Sequence, residues 1–261
     1  MEGGRRPRRR EAGALHIRLR KGSANTQKGS SELIAWVERA GATGIKLLRA
    51  DSGFWNTKVF ERLEQAGWQY SIGVRMIKTV RAAIEAIDED AWQRIDYPED
   101  GEAQIAETVY GDRRLIVRRT RLLGPQAELW PDWRHFALVT NRTDEIAIVE
   151  AEHREHAVVE QVIADLKDQA LAHFPSGHFY ANAAWTVLAA LAHNMLRWTQ
   201  LLGLPDTTVR AARTLRRRLL AVPGRLTRHA RGWTLHLPAR WPWHGDYISA
   251  LNRIRALPAA A

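Results

Sequence analysis

Asp51 closes a short apolar run, Leu47-Leu48-Arg49-Ala50, and is followed at once by the breaking pair Ser52-Gly53 and by Phe54-Trp55. The stretch 45–50 reads as a buried strand. Its terminal carboxylate then sits where a sheet edge opens into a crevice, the place at which open α/β sheets bind ligands. An ordinary solvated turn is the alternative reading of the same aspartate. A second polar centre lies between Glu150 and Lys167, where Val159, Val162, Ile163, Leu166 and Ala170 recur at helical spacing. His156, Glu160 and Lys167 follow His153 by three, seven and fourteen residues, which places all four on one stripe beside the apolar face, looking into the protein. His153 and His156 could share a metal ion, as could His156 with Glu160. With no third ligand motif nearby, pairing of the histidines with carboxylates or phosphate is the simpler reading.

The elements that must position these groups alternate. Residues 14–20 read as a strand, followed by a turn region. A helix capped by Ser30 or Ser31 runs to about Arg39, with Leu33, Ile34 and Val37 inward and Gly41 as its stop. The Asp51 strand, a helix over 57–66 and a strand over 69–74 come next, and a short helix over 79–87 after them. From 103 to 141 the period changes to two. Strands over 104–110, 114–122 and 134–140 are expected there, with a hairpin turn at Gly111-Asp112. A strongly apolar helix over 182–202 presents Trp185, Leu188, Leu191, Ala192, Met195 and Leu196 as core or packing surface.

Taken together, the run Arg49-Ala50-Asp51-Ser52-Gly53-Phe54-Trp55 and the Glu160 helix resemble the DDE transposases of bacterial insertion sequences, in the branch whose helix carries a Y-x2-R-x3-E-x6-K signature. Glu160 and Lys167 match its glutamate and lysine, and His153 and His156 stand where its tyrosine and arginine would be. The segments Leu19 to Lys28, Arg114 to Leu122 and Leu129 to Arg134 share the likeness. The resemblance implies an α/β fold: a partial RNase H-like core, a β-rich insertion between the second aspartate and the glutamate helix, and a helical, basic C-terminal region. The expected divisions are a basic tail over 1–13, a first part of the core over 14–101, the insertion over 102–145, the glutamate-bearing and packing helices over 146–204, and the basic region over 205–261.

The same resemblance implies that Asp51 and Glu160 are catalytic and bind metal, within a two-ion Mg²⁺ site that Mn²⁺ could also fill. Lys167, His153 and His156 would hold DNA phosphate. Trp130 and Trp133, in the insertion, would either stack on an unpaired base or pack their own loop. Two departures stand out. His156 lacks the fixed charge and fork of an arginine. The family's first catalytic aspartate precedes the second on a central strand, whereas Asp51 is the first aspartate here. The expectation is an N-terminally truncated copy that does not cut DNA alone. The function expected is DNA transposition, and the alternative is an inactive DNA-binding remnant that inhibits intact transposase. Should Glu160 not be the catalytic glutamate, Glu150, Glu152 and Glu155 are the next candidates.

Charge narrows the partners independently. The chain has 261 residues with a formal net charge of +10, and its sequence pI is about 10.4. That balance points to a polyanion. No long apolar span or lone basic amphipathic anchor favours a membrane instead. DNA, as transposon ends and target, is the expected partner, and a homodimer or a mixed complex with full-length transposase is left open. The absence of cysteine excludes disulfides and thiolate zinc sites and fits a cytoplasmic location. The arginines of the first ten residues fit a solvated tail or a DNA-binding arm, and not a secretory signal. Arg216, Arg217 and Arg218 lie in an arginine-rich stretch after Thr208 with hardly an acid, where mutual repulsion favours phosphate between them.

Overall fold

In the computed structural model, two glycines bracket the first helix, α1 (Ser30–Arg39): Gly29 at φ +96° and Gly41 at φ +72°, conformations that side-chain-bearing residues rarely adopt. Gly29 is the N-cap, so the serines lie inside the helix rather than capping it. The structure describes residues 13–23, 29–41, 43–96, 101–123, 132–154, 157–206, 208–230, 232–238 and 240–258. They fall into two units, residues 21–157 and residues 1–20 with 158–261. The tail over 1–10, most of the first turn region, Trp130, Glu155, His156 and Arg231 lie outside the described residues.

The 21–157 unit is built on one mixed sheet. Strand β1 (Leu47–Ala50) runs parallel to β2 (Gln69–Gly73), and α2 (Thr57–Gln65) connects them. The Asn56 side chain caps α2 by accepting from the Lys58 N–H at 2.9 Å. After α3 (Lys78–Glu85) come β3 (Gln93–Ile95), β4 (Gly101–Tyr110), β5 (Arg113–Leu122) and β6 (Arg134–Thr140), all antiparallel to their neighbours. The order is β1-β2-β6-β5-β4-β3. The strands over 101–140 thus extend the sheet that holds Asp51, and β1 is its edge. The expected hairpin turn is present, with Gly111 at φ +66° between the paired Tyr110 and Arg113.

Period-two alternation assigns the two faces. Ala50, Ile72, Val139 and Leu115 lie in register across four strands, and α1, α2 and α3 cover them with Ile34, Val59, Phe60, Leu63, Val80 and Ile84. Burying each such side chain is worth about 1.5–3 kcal/mol. The opposite face carries Ile105, Ile116 and Leu138, closed by Ile146 and Val149 of α4 (Ile146–Arg154).

The second unit holds α5 (Ala157–Asp168, entering this unit at Val158), α6 (Phe179–Gly203), a short α7 (Ala212–Leu215) running into a wide turn over Arg216–Leu220, the hairpin β7 (Arg225–His229) and β8 (Gly232–His236), and α8 (His244–Arg255). Residues 14–20 form no strand. Ala14 instead exchanges two hydrogen bonds with the Asn194 side chain of α6, at 2.8 and 2.9 Å, and Ile17 packs on Val162 and Leu166 while Leu15 stays exposed. A side chain thus supplies what a neighbouring strand would.

Most of the expected apolar stripe of α6 is not its buried face, although Leu196 packs with Leu204, Leu215 and Leu219. Leu188, Leu191 and Met195 are at least half exposed, and the buried positions are Thr186, Ala189, Ala190, His193, Arg197, Gln200 and Gly203. Gly203 lets α8 approach: a Cβ there would lie 2.9 Å from Ala250 Cβ and 3.1 Å from its Cα. Gly203→Ala should therefore overpack this contact and cost about 1–3 kcal/mol, read as a lower urea midpoint. An unchanged midpoint would mean that the helices separate freely.

Candidate acidic site and nucleic-acid interface

Asp51 sits at the carboxyl end of β1, exposed, and opens a tight turn over Ser52–Phe54. Its Oδ1 accepts the Gly53 N–H at 2.9 Å, which fixes the carboxylate's orientation. Gly73, at the end of the parallel neighbour β2, permits this turn. A Cβ on Gly73 would meet Ser52 N at 3.3 Å and Asp51 C at 3.6 Å.

Two residues back on the same face, Arg49 donates to the Glu152 carbonyl on α4. Its cross-strand partner Ser71, almost fully buried, contacts His153 Nδ1 through Oγ at 2.6 Å. His153 therefore reaches the sheet face that carries Asp51, although it stands on α4 and not on the Glu160 helix. The neighbouring acids of α4 are engaged. Glu150 is buried and pairs with Arg118 at 3.2 Å and Arg154 at 3.4 Å, and Glu152 pairs with Arg142 at 2.6 Å.

Glu160 and Lys167 lie seven residues apart along α5 in the other unit, on one side of the helix. Both are exposed, so this edge faces solvent instead of the interior that the sequence pattern implied. The inward polar position is Asp165. It accepts Arg197 Nη2 at 2.9 Å and the Ala212 N–H at 3.1 Å, tying α5 to α6 and α7. Burial, reinforced by the Arg197 charge, holds the nearby His193 imidazole below its usual range.

The arginine-rich stretch divides into paired and open groups. Arg210 meets Asp206, holding that carboxyl below the usual range, and Arg213 meets Asp168. Arg216 and Arg217 are exposed and Arg218 is half-buried. The guanidinium carbons of Arg217 and Arg218 lie 5.1 and 5.4 Å from the Trp243 ring centroid. No acid forms a salt bridge with these three among the described residues, and the Arg218 charge reaches Asp206 only at longer range.

Trp133 is half-buried on the sheet, with Arg119 and Arg121 each 4.5 Å from its ring centroid. Arg119 also stacks on Trp92 at 4.2 Å and forks onto Glu89 at 2.9 and 2.7 Å. Apolar periodicity gives no sign of this cluster, because its members come from three separate segments, 89–92, 119–121 and Trp133. Among the described residues no three His, Asp or Glu side chains gather closely enough to hold a metal ion. No helix there is long and apolar enough to cross a membrane.

Comparison with curated proteins returns no match. A family model described as "Transposase DDE domain group 1" matches residues 11–259, spanning both units and containing Asp51, Glu160, Lys167 and the arginine-rich stretch. The mixed α/β architecture agrees with that match, and the chain belongs to the transposase DDE domain family, group 1.

Proposed function

We propose that this chain acts on DNA as the RNase H-like domain of an insertion-sequence transposase, with Asp51 and Glu160 contributing carboxylates to phosphodiester hydrolysis and strand transfer. The reading rests on the family match over 11–259, which encloses a carboxylate placed at the carboxyl end of a parallel strand pair. Lys167 and His153 would hold phosphate as point charges or donors, and Arg216, Arg217 and Arg218 would track the duplex backbone.

The chemistry of this family depends on divalent metal. Asp51 and Glu160 offer the acceptor-only oxygens that suit a hard cation such as Mg²⁺ or Mn²⁺. The two carboxylates stand in separate units, Asp51 at the end of β1 and Glu160 on α5. A second reading shares the same basic surface: the chain occupies DNA without cutting it and competes with an active transposase or joins it in a mixed complex.

Two assays on one preparation decide between them: duplex binding, and nicking in Mg²⁺ or Mn²⁺. On the first reading, Asp51→Asn and Glu160→Gln each abolish metal-dependent nicking and leave binding intact. Nicking that persists in either variant moves that carboxylate's role to another acid. Firm binding with no nicking by the unaltered chain selects the second reading.

A further inference from the structure

Strands β7 and β8 form a two-stranded sheet of their own. Every residue in them is exposed except the half-buried Thr227, including Trp233 at 65% and Leu226 at 58%. A lone hairpin is marginally stable in water, so a ribbon this bare calls for a partner surface. Its register separates two faces. Arg225, Thr227 and His229 lie opposite His236, Thr234 and Gly232 on one side, and Leu226 and Arg228 lie opposite Leu235 and Trp233 on the other.

Apart from Gly232, the first side is polar and rich in hydrogen-bond donors. It lies in a stretch with no acidic residue between Asp206 and Asp246, a stretch that contains nine arginines. Arg225 and His229 have no side-chain partner among the described residues. A two-stranded ribbon fits the B-DNA major groove, which is about 12 Å wide. Five residues at about 3.4 Å each give it a reach of about 17 Å, or roughly five base pairs.

We infer that the β7–β8 hairpin is a DNA-reading ribbon, whose Arg225–His229 face enters the major groove of duplex DNA. This extends the DNA partner proposed above to a particular element and groove, and rests on that reading. Arg225 supplies the forked donor suited to guanine O6 and N7, Thr234 supplies a hydroxyl and a methyl, and His229 supplies ring nitrogens, while Thr227 Oγ1 and His236 Nε2 meet each other at 2.9 Å and brace the face. Arg228, on the far face with its guanidinium 5.6 Å from the Trp233 centroid, is left to the phosphate rim.

The test uses the full chain and labelled duplex DNA, with dimethyl sulfate reading guanine N7 in the major groove and adenine N3 in the minor groove. Equilibrium binding is measured in parallel. The chain should protect N7 over roughly five base pairs and leave N3 reactive. Arg225→Ala/His229→Ala should lose that protection and bind about tenfold more weakly, with an unchanged circular dichroism spectrum. Arg225→Lys, which keeps the charge, should stay within about threefold. Binding with N7 unprotected, or a double variant equal to the parent, overturns the ribbon and leaves the DNA partner standing. A double variant that changes the sedimenting mass but not DNA affinity also overturns it, in favour of pairing between copies. No binding by any form of the chain removes the DNA partner itself.

Discussion

Asp165→Ala is expected to destabilise the 158–261 unit by about 3–5 kcal/mol, the range for removing one partner of a buried ion pair. Asp165 and Arg197 are each 7% exposed and meet at 2.9 Å. The other carboxylate oxygen accepts the Ala212 N–H at 3.1 Å, and Arg197 also donates to the Arg210 carbonyl at 2.7 Å. Truncation leaves a buried guanidinium with no counter-charge and an unpaired N–H at the start of α7, and both losses fall on the same helix junction. Asp165→Asn keeps the shape without the charge and should cost less. Urea unfolding followed by tryptophan fluorescence reads both, and a midpoint unmoved by Asp165→Ala would mean that α5, α6 and α7 are not joined through this pair.

That junction also shows why part of the fold was illegible from the sequence. Apolar periodicity along α6 points to Leu188, Leu191 and Met195 as the packing face, yet these are at least half exposed and the helix packs through Ala189, Ala190, Arg197 and Gly203. A buried arginine becomes visible only once its aspartate, 32 residues away, is known to meet it. Residues 14–20 failed for a similar reason. Alternation reports which side chains could face inward, and it cannot report that Asn194 will take the backbone hydrogen bonds of Ala14.

Local signals fared better. The Ser52-Gly53 break after an apolar run placed Asp51 at a strand's end, Gly111-Asp112 placed the turn between β4 and β5, and each of these is decided within a few residues. The acidic site is only half legible for the opposite reason. Helical spacing put Glu160 and Lys167 on one side of α5, but which side faces solvent was settled by Asp165, whose charge is drawn inward by Arg197.

The second large effect concerns DNA. Reversing charge at Arg216 and Arg217 and neutralising Arg218 with glutamine should weaken duplex binding by about a hundredfold or more at moderate salt, because each lost phosphate contact removes a released counterion. Arg216 and Arg217 are exposed and Arg218 is half-buried, so the first two changes spare the core. Glutamine at 218 avoids placing a carboxylate at a half-buried position.

The most direct measurement is the affinity of the intact chain for duplex DNA across a salt series, with the variant in parallel. Log Kd should rise linearly with log salt, with a slope of about 0.9 per phosphate neutralised, and the variant's slope should be smaller by about two to three. Binding that ignores salt, or a variant whose slope and affinity match the parent's, would contradict the assignment of this basic surface to DNA.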